Sequence, residues 1–301
     1  MLSVMSVTPV PFSTVRDDGV RIVADRLGDP AAPAVVFLHG GGQTRRSWGR
    51  AAAAVASRRG ERSDGRGSGW QAVTVDFRGH GESDWSDVGD YRVVTFARDV
   101  EAVLSTLPPR PVLVGASLGG FTSMLLAGEL APGTVRAVVL VDIVPDMDPS
   151  GASRIHDFMH DRMTSGFDTL DEVADAVQAY NPHRPRPTDL DGLRTNLRER
   201  DGRFFWHWDP KFIDGSSALP PVEVTEVDRC HAAVEAILRD GVPMLLVRGQ
   251  MSDLVTADRA QAFLTRFPAV EFVDVGGAGH MVAGDRNDLF ADAVVEFLVR
   301  H

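Results

Sequence analysis

The stretch GASLGG at residues 115–120 constrains the fold of this chain more than any other feature. It follows an apolar run at 111–114 and leads into a segment from Phe121 with the composition of a helix. A serine with glycines two positions away on both sides, between a strand and a helix, is typical of a nucleophile elbow. Side chains at those glycines would crowd the neighbouring backbone. We therefore expect the hydroxyl of Ser117 to project above the edge of a sheet, at the start of a helix.

Short apolar runs alternate with helix-compatible stretches along the chain. Most of these runs lack polar alternation, as expected for strands that are covered on both faces. The predicted strands are 21–24, 34–38, 71–75, 111–114, 137–141, 244–247 and 271–275, and the predicted helices are 47–57, 94–107, 118–130, 257–267 and 289–300. This alternation predicts an α/β fold with a doubly wound, mostly parallel sheet, in which the first strands form either part of that sheet or an antiparallel entry hairpin.

Two segments interrupt the alternation. Residues 58–69 are polar and rich in glycine and arginine, which predicts a mobile surface loop. Residues 145–240 contain no strong strand, and the stretches 154–164, 169–180, 190–200 and 231–239 have helical character. A segment of this length is too long for a plain loop. We therefore predict a core of residues 1–144 and 241–301, with a helical cap or lid at 145–240 over the carboxyl edge of the sheet.

The composition excludes several classes of protein. The formal net charge of −11 gives no basic surface for a nucleic-acid partner. Cys230 is the only cysteine, so no intrachain disulfide forms, and its position favours a structural role. Residues 1–12 do not resemble a signal peptide, and no apolar run reaches the roughly 18 residues of a membrane span. We expect a cytoplasmic protein that does not bind membranes, with self-association left open.

A reactive serine needs a base, and a histidine suits this role near neutral pH. His280 follows the last predicted strand within the glycine-rich stretch 276–279. Asp253 follows the strand at 244–247 and is the predicted orienting acid, with Asp142 after the strand at 137–141 as the alternative. The order Ser117, Asp253, His280 agrees with the Ser, Asp, His order that accompanies this elbow.

Backbone amides for a developing oxyanion are predicted in two places. The first is Leu118, directly after the serine, and the second is Gly41 in the stretch HGGGQ at 39–43, with Gly42 in reserve. Glycines allow the backbone to approach a substrate oxygen closely. The chain contains neither GxxxxGK[ST] nor GxGxxG, which argues against a phosphate loop and gives no reason to expect a nucleotide cofactor.

Together these motifs resemble the α/β-hydrolase fold superfamily. The resemblance rests on HGGG at 39–42, DFRGHGES at 76–83, the elbow, RGQMSD at 248–253 and Gly279-His280, and it covers the whole chain apart from the lid. It is nearest to the lidded group that includes esterases, cofactor-free haloperoxidases, epoxide hydrolases, haloalkane dehalogenases and carbon–carbon bond hydrolases. Epoxide hydrolases and dehalogenases of this fold carry aspartate at the elbow, so Ser117 argues against both.

The resemblance implies a cofactor-free serine hydrolase of carboxylic esters, whose substrate is a small molecule, an apolar ester or acyl compound. A perhydrolase, a carbon–carbon bond hydrolase and a thioesterase or acyltransferase use the same groups and stay open. The alternative from another class is a ligand receptor on the same fold. The DFRGHGES segment, His80 included, is expected to tie down its loop rather than to react.

Aromatic and thioether side chains suggest a substrate pocket. Trp48 follows the glycine loop, Met159 lies in the predicted lid, and Trp206 and Trp208 belong to the dense stretch FFWHW at 204–208. These side chains either wall an apolar pocket or pack the lid on the core. The pattern HDxxH at 156–160 lacks the glutamate of a zinc-protease helix, so we predict no metal site there.

Overall fold

A computed structural model describes residues 8–57, 69–182, 184–214 and 224–301 of the chain. Its centre is an eight-stranded sheet with the order β1-β2-β4-β3-β5-β6-β9-β10. The strands are β1 (Val10–Val15), β2 (Arg21–Leu27), β3 (Ala34–Leu38), β4 (Gln71–Val75), β5 (Val112–Ala116), β6 (Ala137–Val141), β9 (Met244–Gly249) and β10 (Glu271–Val275), and a separate hairpin contains β7 (Leu197–Arg200) and β8 (Arg203–Trp206).

Helices cover both faces of the sheet. The helices of the core are α1 (Gly49–Ser57), α2 (Val93–Leu104), α3 (Leu118–Leu125, continued by a π turn at Leu126–Leu130), α8 (Ala257–Arg266), α9 (Val282–Asp285) and α10 (Asn287–Arg300). The remaining helices are α4 (Pro149–His160), α5 (Leu170–Tyr180), α6 (Pro210–Asp214) and α7 (Val224–Arg239), and short 3-10 turns occupy Arg45–Trp48 and Asp191–Asn196.

The strands are apolar throughout because both of their faces are buried. In β3, Val36 and Leu38 pack with α2 and α3, whereas Val35 and Phe37 pack with α1 and α10. Successive side chains of a strand point to opposite faces, so one continuous apolar run serves two cores. This arrangement confirms the predicted α/β fold with a doubly wound, mostly parallel sheet.

The first two strands form the antiparallel entry hairpin. β1 pairs with β2, β2 pairs antiparallel with β4, and every later pairing in the sheet is parallel. β1 was absent from the predicted strands. It lies at the edge of the sheet and alternates between exposed and half-buried positions, so it lacks the apolar run that marks the inner strands.

The segment between β6 and β9 is here called the insertion. Its secondary structure differs from the prediction at residues 197–206. Residues 197–206 form the antiparallel hairpin β7-β8, so the prediction of a helix at 190–200 and of no strand in this region was wrong. Asp201 and Gly202 make the turn with φ of 53° and 73°. An Asp-Gly pair supplies the two left-handed residues of a tight hairpin turn, and this signal was available in the sequence.

Residues 58–68 of the predicted surface loop lie outside the described residues. Within the described part of the chain, no helix combines the length and the apolar character needed to cross a membrane.

Candidate active site

The backbone makes a sharp turn at Ser117, between the end of β5 and the start of α3. Ser117 has φ 47° and ψ −113°, a conformation that a residue with a side chain rarely adopts. A Cβ on Gly115 would lie 2.2 Å from the carbonyl oxygen of Gly119, and a Cβ on Gly119 would lie 2.2 Å from that of Leu38. Glycine on both sides is therefore a steric requirement of this turn, as the sequence indicates.

His280 and Asp142 form a buried pair at the carboxyl edge of the sheet. His280 Nδ1 lies 2.8 Å from Asp142 Oδ2, and their side chains are 12% and 0% exposed. The carboxylate also accepts from the Gly249 amide at 2.9 Å and from the Ser252 hydroxyl at 2.5 Å. Since the carboxylate accepts, the shared proton lies on Nδ1 and the Nε2 atom of His280 keeps a lone pair.

Ser117 and His280 line the same small cavity. This cavity has a volume of about 130 Å³, and its wall includes Ser117, His280, Gln43 and Trp48. The Ser117 amide donates to the carbonyl of Val141, the residue before Asp142, at 3.4 Å. The folded chain thus brings a hydroxyl, an imidazole and a carboxylate to one place, from three different strand ends.

The structure corrects the acid predicted from the sequence. Asp253 pairs with Arg154 at 2.6 Å, and both side chains are close to half exposed. A Cβ on Gly151 would lie 2.6 Å from the Asp253 carbonyl oxygen, so the Asp253 backbone packs against α4. The tight turn after β9 directs Ser252 inward to Asp142. The prediction that Asp253 orients His280 was wrong, and Asp142, the alternative, occupies that position.

The loop after β3 runs beside the serine. A Cβ on Gly40 would lie 3.4 Å from Ser117 Cβ. The Gly40 amide donates to the side chain of Gln43 at 3.2 Å. Among the described residues, the amides of Gly41 and Leu118 have no acceptor. These are the two donors that the sequence predicts for an oxyanion.

Two buried histidines hold the next residue of this loop, Gly42, from both sides. The Gly42 amide donates to His80 Nε2 at 3.2 Å, and the Gly42 carbonyl accepts from His207 Nε2 at 3.2 Å. His80 Nδ1 donates to the Arg78 carbonyl at 3.0 Å, and His207 Nδ1 accepts from the Gly81 amide at 2.8 Å. His80 therefore has the structural role that the sequence predicts. No sequence pattern pointed to His207, which comes from the insertion.

Burial keeps these imidazoles neutral. It lowers the pKa of His80 and of His207 to about 3, with a further lowering from His39 in the case of His80 and from His80 in the case of His207. His39, the residue before the glycines, has its pKa lowered to about 3 for the same reason. Its Nδ1 donates to the Gly40 carbonyl at 2.8 Å and its Nε2 accepts from the Phe77 amide at 3.1 Å. Each ring thus has one defined tautomer.

A carboxylate ties the loop after β3 to the loop after β4. Asp76 is fully buried and accepts from the amides of Arg45 at 2.6 Å and Glu82 at 2.9 Å. The guanidinium of Arg45 also donates to it. A Cβ on Gly81 would lie 2.2 Å from the Asp76 carboxylate. The charge-assisted bonds expected for this segment are present, and they hold both loops that surround the glycines.

The sequence left two roles open for the aromatic and thioether side chains, a pocket wall or packing, and three of the four pack. Met159, Trp206 and Trp208 are almost completely buried. They line neither the small cavity nor the larger cavity at Ser117 that is described next. The two indoles stack with centroids 5.0 Å apart. A Cβ on Gly42 would lie 3.1 Å from Met159 Cε and 3.3 Å from Trp208 Cζ3. These side chains support the glycine loop from the insertion side, whereas Trp48 does line the small cavity.

A larger cavity also reaches Ser117. It has a volume of about 530 Å³ and lies between α4, the loop after β6, α7 and the start of α8. Its apolar wall comes from Phe121, Pro145, Met147, Ala152, Ile155, Val227 and Leu254. A volume of this size holds a small organic molecule.

Other residues singled out in the sequence take no part in the group formed by Ser117, His280 and Asp142, although His156 lines the larger cavity. His156 and His160 stack on the exposed side of α4, and among the described residues no three His, Cys, Asp or Glu side chains are grouped as metal ligands. Cys230 is buried, and burial raises the pKa of its thiol to about 12, which makes it a poor nucleophile.

Comparison with known proteins places the chain in a family. The model of the alpha/beta hydrolase family matches residues 35–293. An esterase of Mycobacterium tuberculosis, Rv0045c, is 31% identical over 268 residues, which are 85% of this chain and 79% of the esterase. The sn-1-specific diacylglycerol lipase ABHD11 of Mus musculus is 29% identical over 276 residues, 90% of this chain and 82% of the lipase.

A solved structure agrees with the sequence relatives. The crystal structure of an alpha/beta hydrolase from Novosphingobium aromaticivorans superposes with a TM-score of 0.77 at 25% identity, over 98% of this chain and 99% of that chain. The family model covers most of the core, and the named hydrolase relatives match most of the chain. The chain belongs to the alpha/beta hydrolase family and is a hydrolytic enzyme.

Proposed function

We propose that the chain hydrolyses carboxylic esters through an acyl-enzyme on Ser117. The observation that carries the proposal is the hydrogen bond between His280 Nδ1 and Asp142, at the wall of the cavity that contains Ser117. Such a bond fixes the imidazole tautomer that accepts a proton at Nε2 and stabilises the imidazolium that results. The esterase and lipase relatives support ester chemistry as the reaction.

In the first half of the reaction, Ser117 Oγ attacks the acyl carbon while its proton passes to His280 Nε2. Negative charge develops on the carbonyl oxygen, and the amides of Gly41 and Leu118 donate to it. Each such donor lowers the barrier by about 3–4 kcal/mol. His280 then donates the proton to the leaving alkoxide, and the alcohol departs.

In the second half, a water molecule gives a proton to His280 Nε2 and attacks the acyl carbon. The tetrahedral intermediate again places its charge on the two amides. As this intermediate collapses, the bond between the acyl carbon and Ser117 Oγ breaks, His280 Nε2 returns its proton to Oγ, and the acid is released. Asp142 is held throughout by the Gly249 amide and the Ser252 hydroxyl.

We further propose that the insertion acts as a lid and that its cavity wall selects apolar substrates. The larger cavity lies between the insertion and the core, and most of its wall is apolar. Ligand pockets of this type derive their affinity from apolar contact and their orientation from a few polar groups.

The experiment follows proton release from methyl esters of graded acyl length. We expect turnover by the native chain and labelling of Ser117 by a fluorophosphonate probe. Ser117→Ala should abolish both. Ser105→Ala is the matched control, because the Ser105 hydroxyl is exposed at the end of α2 and donates only to its own helix.

The rival functions give different results in the same assay. Peroxide-dependent formation of peracid in excess of ester hydrolysis would favour a perhydrolase. Cleavage of a vinylogous diketone in preference to esters would favour a carbon–carbon bond hydrolase. Absence of both turnover and labelling would favour a ligand receptor and would overturn the proposal.

A further inference from the structure

Two cavities of different size meet at Ser117. The larger holds about 530 Å³ and the smaller about 130 Å³. Since a water molecule occupies about 30 Å³ in the liquid, the smaller cavity has room for a group of a few heavy atoms. A substrate bound at Ser117 therefore meets two unequal spaces, one for each side of its scissile bond.

The position of His280 determines which side of the ester enters which cavity. His280 lines the small cavity and does not line the large one. Its Nε2 must lie within hydrogen-bond reach, about 3 Å, of the leaving-group oxygen in order to protonate it. The alcohol part of the ester is attached to that oxygen, so it lies on the His280 side. The acyl part is attached to the opposite side of the same carbon.

The linings agree with this assignment. On the small side, Met281, Val282, Ala283 and Gly284 follow His280 directly and close the space around the leaving group. On the large side, Phe121 stands on α3 one turn after Ser117, where a chain attached to the acyl carbon would meet it.

Polar groups occupy only part of the wall of the large cavity. The titratable ones are the carboxylates of Asp146 and Asp157, the imidazole of His156 and the guanidinium of Arg259. Asp146 pairs with His231 at 2.9 Å, and the Asp157 side chain is 83% exposed. Most of the rest of the wall is apolar, so the cavity favours an uncharged acyl chain.

We propose that the substrates are esters of a bulky, uncharged, apolar acid with a small alcohol. This inference rests on the proposed ester hydrolysis at Ser117 and adds the distribution of the substrate between the two cavities. The inference concerns the direction of the ester bond. An ester of the same size with a long alcohol and a short acid would have to place its long chain in the small cavity.

Two isomeric esters test this direction. Methyl decanoate and nonyl acetate have the same atoms and almost the same hydrophobicity, and they differ in the side of the ester that carries the chain. We expect kcat/KM for methyl decanoate to exceed that for nonyl acetate by about tenfold or more. A chain in the large cavity needs to bury only two more methylene groups than a chain in the small cavity to give a ratio of that order. Equal values, or a preference for nonyl acetate, would overturn the inference.

A variant that fills the large cavity provides the second arm. Ala152→Trp places an indole in the large cavity and should lower kcat/KM for methyl decanoate by about tenfold or more, and that for methyl butyrate by a clearly smaller factor. Ala232→Trp is the matched control, because Ala232 is exposed on α7 and lines neither cavity. Unfolding midpoints of both variants verify that they are folded.

The results separate this inference from the function beneath it. Hydrolysis of methyl butyrate without discrimination between the isomers, or an Ala152→Trp variant that keeps the native preference, contradicts the assignment of the cavities alone. Failure to hydrolyse methyl butyrate, together with failure of the fluorophosphonate to label Ser117, contradicts the proposed ester hydrolysis itself.

Discussion

His207 Nε2 donates to the carbonyl oxygen of Gly42 at 3.2 Å and thereby fastens the insertion to the glycine loop of the core. The other ring nitrogen accepts from the Gly81 amide at 2.8 Å, so one imidazole bridges the loops after β3 and β4. The Gly42 amide is held by His80 at the same time. Both peptide groups that flank the Gly42 α-carbon are therefore fixed, directly beside the proposed oxyanion donor Gly41.

We expect loss of the His207 donor to reduce kcat without changing KM. In His207→Asn, the amide oxygen takes the place of Nδ1, but no donor reaches Gly42. In His207→Gln, the amide nitrogen takes the place of Nε2 and keeps that donor. If Gly41 shifts by a fraction of an ångström, stabilisation of the transition state weakens, and kcat for the Asn variant should fall by about tenfold, or about 1.4 kcal/mol.

The Gln variant is the control for this prediction. Its kcat should lie clearly above that of the Asn variant. A role in packing alone would lower the thermal stability of both variants equally and leave both kcat values near the native one.

The acid that orients His280 is tested by two matched substitutions. Asp142→Asn should lower kcat by about 10⁴-fold, since an amide favours the wrong imidazole tautomer. Asp253→Asn removes only the half-exposed pair with Arg154 and should change kcat by less than about twofold. Steady-state kinetics on a methyl ester measure both. A severe loss in the Asp253 variant with little loss in the Asp142 variant would reverse our assignment.

The choice between these two aspartates illustrates where the sequence stops being informative. Both follow strands that end at the same edge, and both agree with the order of the motif. The difference arises from the turn after β9, which points Ser252 inward and the next residue outward. Side-chain direction in a turn depends on contacts with α4 and β6, and these are distant in the sequence.

Glycine in the elbow has a steric reason that stability measurements test. Gly115→Ala places a methyl group 2.2 Å from the Gly119 carbonyl oxygen and should destabilise the fold by about 3 kcal/mol. Gly49→Ala is the contrast. Gly49 has helical backbone angles and nothing within 4 Å of a new Cβ, so this change should stabilise the chain by about 0.5–1 kcal/mol. Urea unfolding of both variants measures the two changes, and a tolerated alanine at 115 would refute the steric account.

Acid should destabilise the fold through the buried histidines. Their pKa values fall from 6.5 to about 3 on folding, so the unfolded chain binds more protons between these limits. Stability is complete above pH 6.5 and decreases as the pH falls toward 3. Between pH 6.5 and 5, each buried ring accounts for about 2 kcal/mol of this loss.

The His207→Asn variant isolates one of these rings. The decrease in its free energy of unfolding between pH 7 and pH 5 should be smaller than that of the native chain by about 2 kcal/mol. Urea unfolding at the two pH values provides the measurement. An identical decrease in both chains would show that His207 is not buried in its neutral form.

The core was predictable to a larger extent than the insertion. Each inner strand is an apolar run because it has two buried faces, and the elbow has a local steric signature at 115–119. The hairpin β7-β8 instead depends on the pairing of Leu197 with Trp206, and the Asp-Gly turn at 201–202 was its local signal. The role of His207 depends on contacts with Gly42 and Gly81, more than a hundred positions away, and no local pattern encodes it.

The packing of Met159 and Trp208 against Gly42 limits how this enzyme can evolve or be engineered. An accessory domain that only gates access can be exchanged between relatives to change substrate range. Here the same segment supplies part of the support beneath the proposed reaction centre. Excising it or grafting it from another protein would disable turnover before it broadened specificity, unless the support for the glycine loop were rebuilt as well.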